Sequence, residues 1–184
     1  KPEKVPAIAV RNEPPRIFVA NSQAVLLFVD GKPVLAKIPG TSLEFVVNAT
    51  LPVIRESAGG RHYLLAGETW LEAAALAGPW SVVRRLPGEF DRLAKDPQWM
   101  GLAKFIPAKA GGAAPLVFYS ETPAEVILFA GTPAFKRVPG TGLLAASNTD
   151  SAVFLHEAGK QYFYLTAGRW FREDFCEGPG NVLE

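Results

Sequence analysis

The chain has 184 residues, of which 48% are hydrophobic and 20% are charged, a composition typical of a folded protein and not of a disordered one. Nineteen basic and eighteen acidic residues leave a net charge of +1, and the scattered basic residues argue against nucleic acid as a partner. No apolar run is long enough for a membrane-spanning helix, and the single cysteine, Cys176, excludes an internal disulfide or a cysteine-rich metal site.

Residues 1–14 are predicted to be an extended lead-in, because they place three prolines among charged residues. Short β-branched and aliphatic runs then recur at intervals of about ten residues, which is typical of all-β meanders and sandwiches. The first half therefore predicts eight strands, at residues 16–20, 24–29, 34–38, 43–48, 53–56, 61–66, 69–73 and 80–84.

Residues 85–114 have a different pattern. Phe90, Leu93 and Ala94 follow helical spacing before Asp96 and Pro97 end it, which predicts one short helix in a linker. The large apolar side chains of this segment are costly to leave in water. The linker is therefore predicted to dock on one or both of the β segments that flank it.

A displacement of 100 residues lays the second half of the chain over the first. Seventeen of the 66 aligned pairs that begin at Pro15 and Pro115 are identical, where composition alone would give about five. The identical pairs are mostly residues that shape a backbone, whereas the charged residues differ. We predict an all-β fold of two tandem, homologous, β-meander or sandwich-like repeats, 15–84 and 115–184, joined by the helical linker. The second repeat predicts strands at residues 116–120, 125–130, 134–138, 143–148, 152–156, 161–166 and 169–173.

The turns of the two halves share their glycines. Asp30-Gly31 is predicted to be a hairpin turn between the second and third strands. The pairs Gly31 with Gly131 and Gly59 with Gly159 are predicted to occupy positions of positive φ, which glycine adopts at little cost.

An aromatic hairpin ends each repeat. In the second, the alternation of a strand places Tyr162 and Tyr164 on one face and Phe163 and Leu165 on the other. Tyrosine and tryptophan on an exposed sheet stack against sugar rings or anchor a protein partner, and the alternative is that the tryptophans belong to the core. The predicted ligand-binding residues are Tyr162, Tyr164, Arg169, Trp170, Phe171 and Trp70.

Patterns that would indicate catalysis are missing from the sequence. His62 and His156 occupy different positions of their repeats and have no second His or Cys at ligand spacing, so no metal site is predicted. The serines lack a nucleophile elbow, and no glycine-rich phosphate loop precedes a helix. No catalytic residue and no cofactor is predicted. A glycosidase with two carboxylates stays open as an alternative, with the candidates Glu44, Glu68, Glu125, Asp150 and Glu157.

The repeated frame also resembles a known group of proteins. Its motifs are Ile17-Phe18-Val19, Pro39-Gly40-Thr41, Gly78-Pro79-Trp80 and Ala167-Gly168-Arg169-Trp170-Phe171. They resemble the repeats of bacterial exported proteins that are labelled carbohydrate-binding family V/XII. The similarity covers most of residues 15–179 and includes the start of the linker. It implies a β-rich, exported or periplasmic protein with several such repeats.

These observations favour a non-catalytic binding or scaffolding protein of the cell envelope or exterior. Its partner would be a polysaccharide or a protein of the envelope, bound through the aromatic hairpins. The alternative is a structural subunit that forms homo-oligomers through exposed β edges, with the proline-rich lead-in as an extended arm on a neighbouring subunit.

Overall fold

A computed structural model describes residues 14–109, 111–166 and 168–173 of the chain. The predicted lead-in, apart from Pro14, and Cys176 lie outside these ranges. The described residues are mostly strand, so the prediction of an all-β fold is confirmed. Fifteen strands lie within the described ranges: β1 Arg16–Ala20, β2 Ala24–Phe28, β3 Leu35–Lys37, β4 Leu43–Val46, β5 Val53–Glu56, β6 His62–Ala66, β7 Thr69–Ala73, β8 Ser81–Val82, β9 Leu116–Ser120, β10 Ala124–Leu128, β11 Phe135–Arg137, β12 Leu143–Ala146, β13 Ala152–His156, β14 Gln161–Thr166 and β15 Arg169–Glu173.

Most of the strands form two antiparallel meanders. Strands β3 to β8 make a six-stranded sheet, and β11 to β15 make a five-stranded sheet, each in chain order. We call them the first sheet and the second sheet. Corresponding strands pair in the same register, since Leu65 lies opposite Trp70 in the first sheet and Leu165 lies opposite Trp170 in the second.

The first two strands of each half cross to the other half. Strand β1 pairs in parallel with β10, and β2 pairs in parallel with β9. The two pairings have the same register at the 100-residue displacement, because Ile17 lies opposite Glu125 and Val117 lies opposite Val25. The prediction of a hairpin at Asp30-Gly31 is therefore wrong: β2 finds its partner in β9, and the turn leads into a different sheet.

The core is built in layers between the two sheets. One face of the first sheet packs on the β2–β9 ribbon, and one face of the second sheet packs on the β1–β10 ribbon. The two ribbons face each other through Phe18 and Phe118, whose rings stack with centroids 4.8 Å apart. These two residues are 100 positions apart, and each is almost fully buried. Each half therefore completes the core of the other.

The linker forms a layer of its own on the first sheet. It contains helix α1 (Phe90–Leu93), a 3-10 helix (Pro97–Trp99) and helix α2 (Met100–Ala103). Phe90 and Leu93 are buried against the sheet together with Leu102, which confirms the predicted docking. The prediction of a single helix is incomplete, because Asp96 caps a second helical segment by accepting a hydrogen bond from the backbone N–H of Gln98.

Backbone φ values confirm one glycine pair and correct the other. Gly31 and Gly131 have φ of 76° and 83°, as predicted. At the β5–β6 and β13–β14 turns the positive φ falls one residue later than Gly59 and Gly159, at Gly60 (67°) and Lys160 (48°). A side chain in this left-handed conformation is uncommon, which makes Lys160 a strained version of the Gly60 turn.

The exchange of strands predicts that the two halves unfold together. Phe118→Ala empties the space between the ribbons and should lower the free energy of unfolding by about 3–5 kcal/mol. Hydrogen exchange should show that protection falls in β6 and β7 of the first sheet as well as in the second sheet. Leu128→Ala, at a residue that is 46% exposed, is the control. Unchanged protection in β6 and β7 would contradict this coupling.

Candidate functional site

The second sheet separates the predicted ligand-binding residues onto two faces. Tyr162, Tyr164 and Phe171 lie on its inner face, against the β1–β10 ribbon. Tyr164 is 2% exposed, and its ring lies 5.8 Å from that of Phe171. Tyr162 packs beside Phe135, with ring centroids 6.1 Å apart. The predicted tyrosine platform is thus wrong in its placement, because these aromatic side chains fill the core side of the sheet.

Trp170 lies on the opposite, outer face of the second sheet and is 56% exposed. Its ring meets Phe154 edge to face, with centroids 5.4 Å apart. Arg169, the first residue of β15, is also exposed. Among the six predicted residues, only these two are presented to solvent, and the alternation of β15 directs them to opposite faces.

Trp70 belongs to the core, which corrects its assignment to the ligand site. It is 2% exposed, and its indole N–H donates a hydrogen bond of 2.8 Å to the carbonyl of Phe105 in the linker. The ring of Phe90 contacts it edge to face at 5.4 Å. The two hairpin tryptophans occupy matching strand positions and yet have opposite environments.

Around Trp170 the outer face of the second sheet forms an open apolar cavity of about 410 Å³. The described residues that line it are Leu143, Phe154, Phe163 and Trp170. Leu165 lies beside it, opposite Trp170 on the neighbouring strand, and is 36% exposed. We call these five residues the outer face. Only Trp170 was among the predicted ligand-binding residues, and the other four were missed. Strand alternation placed Phe163 and Leu165 on one face and could have added those two, whereas Leu143 and Phe154 join them only through sheet pairing.

The same positions of the first sheet are fully covered. Leu43, Ile54, Tyr63, Leu65 and Trp70 stand 100 residues before the five residues of the outer face, and none is more than 5% exposed. The linker covers them with a mostly apolar surface. Within the part of the chain that the structure describes, the two sheets therefore differ in the covering layer, whereas their strand registers are the same.

Polar contacts attach the linker to the first sheet. The Glu89 carboxylate accepts hydrogen bonds from the backbone N–H of Ser42, at 3.1 and 3.2 Å, and from its hydroxyl. These bonds lower the pKa of Glu89 below its ordinary value. Arg92 donates to the carbonyl of Gly40. Both contacts lie at the corner before β4, beside the buried face.

The candidate carboxylates mostly have structural partners. Glu44 pairs with Arg55 at 2.9 Å, and Glu157 pairs with Arg137 at the same distance. Glu68 lies 3.7 Å from Lys109, and Glu125 accepts a hydrogen bond of 2.5 Å from the Thr166 hydroxyl. None of these carboxylates is among the described residues that line the outer-face cavity.

Burial also shifts the pKa values of other titratable groups. Burial, followed by the charge of Arg55, lowers the pKa of His62. Burial, followed by the charge of a neighbouring glutamate, raises the pKa of Tyr63 to about 12, and burial also raises that of Tyr119 to about 12.

Within residues 14–109, 111–166 and 168–173, no cluster of three His, Cys, Asp or Glu side chains could hold a metal ion. In those same ranges, no helix has the length and apolar character needed to cross a membrane.

Comparisons with protein-family models, with curated proteins and with solved structures found no match to this chain. The resemblance to the carbohydrate-binding family V/XII repeats therefore stays a prediction.

The contrast between the two tryptophans predicts a large difference in stability effects. Trp70→Ala removes a buried ring and the hydrogen bond to Phe105, and should lower the free energy of unfolding by about 3–5 kcal/mol. Trp170→Ala removes a half-exposed ring and should cost about 1 kcal/mol or less. Urea denaturation of the two variants tests this pair. Equal losses would show that Trp170 is as deeply packed as Trp70.

The contact between Glu89 and Ser42 predicts a dependence on acid pH. Because the folded pKa of Glu89 lies below its ordinary value of 4.5, its contribution to stability is complete above pH 4.5 and is lost as the pH falls through the folded pKa. Thermal unfolding between pH 7 and pH 3 should show a difference between the native protein and Glu89→Gln that shrinks on acidification. A difference that is constant with pH would contradict the assignment.

Proposed function

We propose that this protein is a non-catalytic binding or scaffolding protein of the cell envelope or exterior, and that the outer face of its second sheet is the contact surface. The observation that carries the proposal is the exposure of an apolar face whose counterpart in the same chain is covered. No catalytic step is part of the proposal. The envelope location rests on the resemblance of the repeated motifs alone.

The composition of the outer face suits a binding surface. Trp170 is half-exposed and lines the apolar cavity, and the ring of Phe154 contacts its ring edge to face. Tryptophan in such a position is the type of residue that dominates binding energy at protein interfaces. Exposure of this ring and of Leu165 to water is unfavourable. A partner that buries them would gain the free energy of burying apolar surface.

The lining favours an apolar polypeptide over a sugar. Sugar recognition combines a flat aromatic ring with polar side chains that meet the hydroxyl groups. The described residues that line the cavity are two phenylalanines, a leucine and a tryptophan. They offer apolar contact on several sides, and the tyrosines that would add hydroxyl groups face the core. We therefore place a polysaccharide second among the partners.

Self-assembly through a sheet edge is the second candidate function. Strand β3 is an edge of the first sheet, and three apolar residues at or beside it are exposed: Val34 (54%), Leu35 (39%) and Val47 (52%). An edge strand with exposed apolar side chains favours pairing with another chain. The predicted N-terminal arm lies outside the described residues.

The proposal predicts that an apolar probe binds at the outer face. The fluorescence of bis-ANS should rise on mixing with the native protein, and Leu165→Asp should remove most of that rise, because a carboxylate beside the cavity disfavours apolar contact and repels the anionic probe. Leu128→Asp is the matched control, since Leu128 is a partly exposed leucine outside the outer face. Both variants should retain the native circular dichroism spectrum.

Competition and size measurements separate the alternatives. Soluble chitin-type and cell-wall fragments should fail to displace bis-ANS, and displacement that depends on Trp170 would instead favour a glycan-binding protein.

Light scattering across a concentration series tests self-assembly, the second candidate function. Self-association that Val34→Lys abolishes and Leu165→Lys leaves unchanged would favour the β3 edge. Equal bis-ANS fluorescence in the native protein and in Leu165→Asp would refute the outer-face proposal.

A further inference from the structure

We infer that the partner of the outer face is a polypeptide segment with the apolar pattern of residues 86–106, bound as the linker lies on the first sheet. The inference rests on the proposed function and names the class of partner for the same surface. Its basis is that the chain itself contains the complement of a similar face.

The two faces correspond position by position. Leu43, Leu65 and Trp70 recur unchanged as Leu143, Leu165 and Trp170. Tyr63 becomes Phe163, which keeps the ring and loses the hydroxyl. The strand registers are also the same, so that these side chains have the same neighbours in each sheet. A surface that complements the first face thus meets a similar arrangement on the second.

One aromatic side chain of the linker contacts two rings of the first face. Phe90 is fully buried, and its ring meets Tyr63 and Trp70 edge to face, with centroids 5.3 and 5.4 Å away. The counterparts of those two rings are Phe163 and Trp170, and both line the outer-face cavity. The cavity is therefore the position that a Phe90-like side chain would occupy in the second sheet.

Polar groups that fasten the linker also recur. The indole N–H of Trp70 donates to a linker carbonyl, and Trp170 supplies the same donor. Arg92 of the linker donates to the Gly40 carbonyl, for which Gly140 is the counterpart. Ser42 becomes Gly142, which keeps the backbone N–H that bonds Glu89 and loses the hydroxyl. The expected segment is thus apolar on one side, with a carboxylate just before its anchoring aromatic residue.

Two substitutions show how the bound segment should differ from the linker. Ile54 becomes the larger Phe154, and Phe45 becomes the smaller Ala145. In the first sheet Phe45 meets the Trp99 ring edge to face at 5.0 Å. The partner segment therefore makes less aromatic contact at the position that corresponds to Trp99. More of its apolar contact lies at the cavity beside Phe154.

Other occupants predict different contacts. The part of the first half that corresponds to residues 174–184 supplies β8 and Val83 to the covered face, whereas Phe90, Leu93 and Leu102 come from further along the chain. Residues 174–184 could then replace only a part of the linker layer. A second copy of this chain would have to use its own outer face, because its linker already covers its first sheet.

The test extends the chain by a copy of its own linker. A second copy of residues 85–109, with phenylalanine in place of its tryptophan, is appended after Glu184, so that it follows the second sheet as the linker follows the first. The control carries Phe90→Asp and Leu93→Asp in the appended copy only. Tethering gives the segment a high effective concentration, which makes a weak contact observable. The probe is the ¹⁹F resonance of 5-fluorotryptophan at Trp170, assigned by Trp170→Phe.

We expect the appended copy to shift the Trp170 resonance and to protect it from solvent, whereas the control leaves it unchanged. The appended copy should also prevent the Leu165-dependent rise in bis-ANS fluorescence. The same Trp170 signal in both proteins would overturn the inference, and bis-ANS binding that persists in them would leave the proposed function standing. Equal bis-ANS fluorescence in the unextended native chain and in its Leu165→Asp variant would overturn both.

Two further measurements identify the rival occupants. Deletion of residues 174–184 should leave the Trp170 resonance and bis-ANS binding nearly unchanged, and a large increase in Trp170 exposure would show that this segment is the cover. Light scattering of the unextended chain should reveal no dimer that Leu165→Lys abolishes. Such a dimer would assign the outer face to a second copy.

Discussion

The parallel pairing of β1 with β10 and of β2 with β9 is the constraint on which the rest of the structure depends. Each meander buries its inner face against a ribbon that contains one strand from each half. The stacked rings of Phe18 and Phe118 fill the space between the ribbons. Because neither meander has a complete core of its own, we expect the two halves to fold as one unit.

That layered core explains how one strand pattern produces two different surfaces. The ribbons cover the inner faces of both sheets. Each sheet also has a second apolar face, which needs a separate covering layer. The linker supplies one for the first sheet through Phe90 and Leu93, fastened by Glu89. The corresponding face around Trp170 keeps the residues of a covered surface and remains half-exposed. The contact surface that we propose thus lies where the described residues leave the covering layer incomplete, and it does not depend on a specialised motif.

The apolar character of both faces of the second sheet explains why some site predictions failed. Strand alternation predicted correctly that Tyr164 and Phe163 lie on opposite faces. It could not say which face meets the core, because both faces of the second sheet are apolar and a period of two residues is symmetric between them. Tyr164 was therefore assigned to a surface that it does not occupy. Trp70 lies on the face that corresponds to that of Trp170 and is buried because the linker covers it. Leu143 and Phe154 were missed because they lie on strands far from the aromatic hairpin in sequence and join it only through sheet pairing.

The sequence by itself determined the all-β class, nearly all strand positions, the positive φ of Gly31 and Gly131, and the docking of an apolar linker. These features depend on local periodicity, turn chemistry and the cost of exposed apolar side chains, all of which are visible along the chain. Only the tertiary structure decided that β1 and β2 cross to the other half, that the linker covers the first sheet, and that Trp70 is buried while Trp170 is exposed. Those outcomes depend on contacts between residues far apart in the chain, and identical local patterns cannot distinguish them.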